Sequence, residues 1–166
     1  MTEIWIGNDH GGFKMKQQIL CYLKDRQIAV HDVGSYSEEI VRYPYYAAQV
    51  ASAVSEGRAQ RGILICSTGI GMSIIANKYP RVRASLCSSG YDGKMTRAHN
   101  DSNILCLGGK TLGIFAALDI LEKWLETPFE GGRHVISLSL IETAERTQMS
   151  GKLWAPQNEE GERCNE

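Results

Sequence analysis

Apolar residues recur along this chain in two alternating rhythms. Short segments at Ile4–Ile6, Ile28–Val33, Ile63–Ile65, Val82–Cys87 and Ile104–Leu107 read as strands, and Ile63–Ile65 is an uncharged apolar run of the kind buried on both faces. Between them the apolar residues fall three or four apart, as at Met15, Ile19, Tyr22 and Leu23, or Ala47, Val50, Ala51 and Val54. Shorter helical stretches are expected from Met72 to Asn77 and from Asp92 to about Arg97. The clearest helical stripe is Ile114, Ala117, Leu118, Leu121 and Leu125.

Strands that alternate with helices of crossover length predict an α/β fold. The expected architecture is a doubly wound, Rossmann-like parallel sheet of five strands, with helices on both faces, in a single domain over residues 1–145. From Arg146 onward the residues are polar with little periodicity, so a polar tail is expected over 146–166. Two readings of it stay open: loosely ordered chain, or an arm that packs on a neighbouring subunit through Leu153 and Trp154.

Doubly wound sheets bind ligands at the carboxyl ends of their strands. The third run ends at Cys66, and the turn Ser67-Thr68-Gly69-Ile70-Gly71 leads into a helix. A strand, a glycine-punctuated turn and a helix N-terminus present several backbone N–H groups to one point, a ready site for an oxyanion or phosphate. Cys66 sits where those groups and the helix dipole favour a thiolate, so it is either a reactive thiol or an inert buried cysteine. Thr68 is either a turn or cap residue or a hydroxyl that relays a proton. Asp9-His10 follows the first strand and reads as a plain turn or as a pair that binds a polyol and its phosphate. His99-Asn100 is locally uninformative. In Gly131-Gly132-Arg133-His134, the guanidinium suits phosphate or simply decorates a surface turn.

Composition narrows the function. With 18 basic and 19 acidic residues among 166, no global field points to nucleic acid or an anionic membrane. No apolar run reaches the length of a membrane span, and a soluble cytoplasmic protein is expected. The five cysteines, Cys21, Cys66, Cys87, Cys106 and Cys164, form no C-x-x-C and suggest reduced thiols; no cluster has metal-ligand spacing. The dinucleotide fingerprint, the P-loop and the Gly-x-Ser-x-Gly elbow are all absent.

Four segments, taken together and in order, carry a resemblance. They are Gly7-Asn8-Asp9-His10-Gly11-Gly12-Phe13, Gly62 to Lys78, Arg97 to Gly109, and Phe129 to His134. They resemble the type B ribose-5-phosphate isomerases, a family that includes galactose-6-phosphate isomerase subunits, over roughly residues 3 to 145. The resemblance implies interconversion of aldose and ketose phosphates through a cis-enediolate, without metal or cofactor. It implies that Cys66 is the base, that His99 is the acid/base of ring opening, and that Asp9 and Thr68 assist. His10, Ser67, Gly69, Ile70, Gly71, Asn100, Lys110 and Arg133 would bind substrate.

His99 precedes the fifth strand and so belongs at the amino end of the sheet, opposite Cys66. The site is therefore expected to combine two subunits, with His99, Asn100 and Arg133 supplied by a neighbour in a homodimer or dimer of dimers. The family resemblance implies the same. Two positions depart from the ribose-type pattern: Lys110 and Ser137 stand where many such members carry arginine. Isomerisation of a four- or six-carbon sugar phosphate therefore remains an alternative, as does a catalytically silent subunit of a hetero-oligomer.

Overall fold

The structure, a computed structural model, describes residues 3–155. Residues up to Gly131 form one compact unit, and the chain from Gly132 forms a second. The first holds β1 (Ile4–Asn8), a 3-10 turn (His10–Gly12), α1 (Phe13–Asp25), β2 (Val30–Asp32), α2 (Tyr43–Ser55) and β3 (Arg61–Cys66). It continues with α3 (Ile70–Ala76), β4 (Ala84–Leu86), α4 (Gly90–Ala98), β5 (Ile104–Gly108) and α5 (Ile114–Glu126).

All strand pairs are parallel, in the order β2-β1-β3-β5-β4. The sheet is buried on both faces, which is why its central strands read as unbroken apolar runs. On one face Ile4, Ile6, Ile63, Ile65, Leu105 and Leu107 pack with Ile19 and Leu23 of α1 and Ile120, Leu121 and Trp124 of α5. On the other, Leu64, Cys66, Ile104 and Cys106 pack with Val50 and Ala51 of α2 and Met72 and Ala76 of α3. Alternate residues of each strand thus serve opposite cores.

The edge strands are shorter than the segments read as strands in the sequence. At β2, the Ile28 N–H turns back to Leu23 O to close α1 and leaves the ladder to Val30–Asp32. The chain leaves β1 toward β2 on one side and continues past it to β3 on the other. The carboxyl ends of β1 and β3 therefore flank the switch in strand order, where such sheets hold ligands. The path from β3 to β4 skips a place, and β5 returns to fill it. Right-handed crossovers put α3 and α4 on opposite faces; α4 accordingly packs on α5.

One charge lies where the pattern suggests solvent. Lys16 of α1 is fully buried, and its Nζ donates to Asp32 Oδ1 at 2.9 Å and to Ser35 O at 2.7 Å. Asp32 also accepts the Gly34 N–H, while Ser35 N–H reaches Asn8 O and Asn8 N–H reaches Gly34 O. The buried ion pair therefore braces the turn after β2 against the residue that precedes Asp9.

The second unit contains α6 (Arg133–Met149), a helix that the apolar pattern does not announce. Its apolar residues form no stripe, and none of its residues is buried. The i,i+4 ion pair of Glu142 with Arg146 favours it, while the Thr143 and Thr147 hydroxyls donate to carbonyls four residues back. It continues past residue 145 into the segment read as tail. Trp154 is half-buried and Leu153 exposed, while Cys164 lies outside the described residues.

Candidate active site

Three strand ends converge at the carboxyl edge. Asp9 N–H donates to Ile65 O, Gly109 N–H to Cys66 O at 2.7 Å and Lys110 N–H to Ser67 O at 2.9 Å. The approach is close enough to demand glycine. A Cβ on Gly12 would lie 2.5 Å from Ile65 O, and one on Gly109 would lie 2.5 Å from Gly11 O. This packing brings Asp9, His10, Cys66, Ser67, Thr68, Gly69, Ile70, Gly71 and Lys110 into one region.

Cys66 is nearly buried at the end of β3, and the Gly69 N–H donates to its Sγ at 3.1 Å. Gly69 precedes α3 with φ +77, a left-handed conformation that turns this N–H back toward the sulfur. Its own Cβ, if present, would meet Leu107 C at 2.9 Å and Leu86 Cδ1 at 2.5 Å. Gly69→Ala is expected to destabilise the fold by about 1–3 kcal/mol, read as a lowered Tm.

Thr68 is exposed, and its Oγ1 accepts the N–H of Ile70, the first residue of α3, at 3.3 Å. Accepting that bond leaves the hydroxyl proton of Thr68 available to donate. Among the described residues, nothing in the protein accepts the N–H groups of Ser67 and Thr68. Asp9 is nearly buried, with Oδ1 accepting the Gly11 N–H at 2.8 Å. His10 accepts the Val41 N–H on Nδ1 at 3.4 Å, so in the neutral ring Nε2 is the donor. Lys110 is exposed.

The other thiols differ in environment. Burial pushes Cys87 up to about 12, with Asp92 adding to the effect, and burial pushes Cys106 well above the ordinary thiol range. Neither supplies a thiolate near neutrality. One residue of this region was not legible in the sequence. The Tyr43 ring lies over Gly71, where a Cβ would stand 2.7 Å from Cζ. Tyr43-Pro44-Tyr45 reads only as the start of a helix, and a glycine at the head of the next helix is the sole hint of a ring above it.

His99 and Asn100 are not in this region. His99 caps the carboxyl end of α4, five residues before β5 begins at Ile104. Ile104 pairs with Gly62 and Gly108 with Cys66, so four residue steps of strand, roughly 13 Å, separate the level of Ile104 from that of Cys66. Glu130 stands beside His99, with Oε2 3.8 Å from Nε2. Arg133 belongs to the second unit, where it is exposed and opens α6. Gly131 and Gly132 precede it with φ of +68 and +55, a left-handed pair that glycine accommodates.

Residues 4–141 match the family described as Ribose/Galactose Isomerase. The chain belongs to that family. It is similar to ribose-5-phosphate isomerase B of Escherichia coli, with 43% identity over 146 residues, covering 88% of this chain and 98% of the relative. It is also similar to the solved structure of Clostridium thermocellum ribose-5-phosphate isomerase B, with a TM-score of 0.86 and 45% identity. That match covers 88% of this chain and 99% of the other. A further relative, the D-erythrulose-4-phosphate isomerase of Pectobacterium atrosepticum, is 39% identical over 80% of this chain and 88% of its own length. The isomerase described here thus acts on a sugar phosphate, between aldose and ketose forms. Among its described residues, no helix is long and apolar enough to cross a membrane.

Proposed function

We propose that this isomerase interconverts ribose 5-phosphate and ribulose 5-phosphate, with Cys66 as the base. The observation that carries the reading is the thiol at the end of β3, which accepts the Gly69 N–H, beside a turn in which the Ser67 and Thr68 N–H groups have no acceptor among the described residues. The furanose ring opens first: a proton leaves the C1 hydroxyl, the ring oxygen takes one up, and the C1–O4 bond breaks. His99 is the acid/base for this step.

The Cys66 thiolate then removes the proton from C2. The C–H electron pair forms the C1=C2 bond, and O1 of the former aldehyde takes the negative charge. A backbone donor aimed at that oxygen is worth roughly 3 kcal/mol in the transition state, and the Ser67–Gly71 turn supplies such donors. Thr68 passes a proton between O2 and O1. Cys66 returns its proton to C1, and the C2 carbonyl of the ketose forms. Asp9 accepts hydrogen bonds from the sugar hydroxyls, and Asn100 contacts another. His10, Lys110 and Arg133 hold the phosphate.

His99 and Asn100 come from a second copy of the chain, together with Arg133. The place of His99 and Asn100 at the amino end of the sheet supports this, since a five-carbon sugar does not span the sheet.

A second reading has support of its own. Lys110 offers a point charge rather than a bidentate fork, and Ser137 offers none, so a phosphate at a different distance is compatible with this site. Similarity to a tetrose phosphate isomerase agrees with that. Against it, a tetrose 4-phosphate has its C4 oxygen esterified and closes no furanose ring, which leaves a ring-opening acid without a task. Turnover is to be measured with ribose 5-phosphate, erythrulose 4-phosphate, allose 6-phosphate and galactose 6-phosphate. The highest kcat/KM is expected for ribose 5-phosphate. A four- or six-carbon substrate that outruns it overturns the sugar assignment. Absence of turnover and of deuterium wash-in with every sugar identifies a silent subunit.

A further inference from the structure

The turn that carries His99 and Asn100 is held by a charged clamp, which the mechanism above does not use. Asp101 follows Asn100 with φ +45, a left-handed conformation that costs a non-glycine residue energy unless its surroundings hold it. Arg83, just before β4, reaches across 18 residues to do so. Its Nε donates to Asn100 O and to Asp101 O, each at 3.0 Å. Its Nη2 donates to Asp101 O at 2.8 Å and to Asp101 Oδ2 at 3.0 Å. Arg97 of α4 takes the other carboxylate oxygen, Nη1 to Asp101 Oδ1 at 2.8 Å, and the same Nη1 donates to Ser102 O.

The main chain reinforces the clamp. Arg83 N–H donates to Asn103 Oδ1 at 2.8 Å, and Arg83 O accepts the Asn103 N–H at 3.1 Å. One planar guanidinium therefore ties the carbonyls of residues 100 and 101 to the edge of the sheet. Arg97 and Asp101 lie on the same stretch as His99 and move with it. Arg83 supplies the connection to a different element. A lysine there would retain the charge but lose the rigid fork that meets three acceptors at once.

We propose that Arg83 is a positioning residue for His99 and Asn100, acting through the Asp101 turn and therefore on the opening and closing of the sugar ring. The proposal rests on the reading of His99 as the ring-opening acid. The separable step is proton exchange at C1 of the ketose: ribulose 5-phosphate is open-chain, so exchange needs the base and its oxyanion turn but not the ring-opening acid.

The test compares Arg83→Lys and Asp101→Asn with wild type and with His99→Ala. Three quantities are measured: Tm, turnover of ribose 5-phosphate, and deuterium wash-in at C1 of ribulose 5-phosphate. In Arg83→Lys, kcat on ribose 5-phosphate is expected to fall about 10–100-fold, as small misplacements of a catalytic group do. Wash-in is expected to stay within about twofold of wild type. Asp101→Asn, which keeps the shape but weakens both arginine contacts, is expected to move the same way by less. If Arg83→Lys folds and both rates are unchanged, or both fall together, the proposal is overturned. If it does not fold, Asp101→Asn decides by the same comparison. If His99→Ala itself fails to separate turnover from wash-in, the reading of His99 falls and the proposal falls with it. Separation in His99→Ala but not in the two clamp variants overturns the proposal alone.

Discussion

Cys66→Ala is expected to reduce isomerisation by about 10³-fold or more, the effect of deleting a general base whose task no neighbour takes over. Cys106 lies in β5 and Cys87 just after β4, but burial holds both thiols protonated far above neutral pH. Deuterium wash-in at C1 of the ketose should disappear with turnover, because both need the same proton abstraction. Sugar-phosphate binding should change little, since the groups assigned to the phosphate are other side chains: His10 on the turn after β1, Lys110 after β5 and Arg133 at the start of α6. The Cys66 side chain accepts one hydrogen bond, from Gly69 N–H, and is small, so the variant should fold. Calorimetry for binding, set beside a coupled assay for turnover, separates these outcomes. Unchanged turnover in a folded Cys66→Ala would remove the thiol from the mechanism.

Mixing two inactive variants should restore activity. Cys66→Ala lacks the proposed base, and His99→Ala lacks the proposed ring-opening acid. If each site takes Cys66 from one chain and His99 from another, a mixed dimer has one site with both defects and one with neither. Random reassociation makes half of the dimers mixed, so about a quarter of wild-type sites return in a closed two-fold dimer. The measurement is turnover after the two variants are dissociated together and reassembled, against each variant treated alone. No recovery, or full activity in a dilute wild-type monomer, would place both residues in one chain.

The effect of mixing follows from topology rather than from any local feature of His99. The strand–helix alternation was legible because each central strand is buried on both faces, which forces runs such as Ile63-Leu64-Ile65. The stripe of α5 was equally plain. The helix α6 was not, because its apolar residues wind around its surface and none is buried. A segment without an apolar stripe offers no period to read.

The chemical loop from Cys66 to Gly71 was legible for a different reason: its parts are consecutive, so one short stretch holds thiol, hydroxyl, left-handed glycine and helix start. The bond from Gly69 N–H to Cys66 Sγ spans three residues. Long-range partners carry no such signature. Lys16 reads as a solvent-facing charge until Asp32 and Ser35 are seen to receive it inside the fold. Arg83 lies within the segment read as the fourth strand, and only the fold shows its fork on Asn100 and Asp101.

By itself, then, the sequence determined what is local: which segments are strands, where the glycine turn interrupts them, and which thiol stands at its mouth. Periodicity and backbone conformation act over a few residues, and they suffice for that. Tertiary structure decided which strand ends meet and which remain apart. The order β2-β1-β3-β5-β4 brings Asp9 beside Cys66 and leaves His99 at the far end of the sheet. The physical reason is the burial of a parallel sheet under right-handed crossovers, a property of the whole chain that no single stretch of it contains.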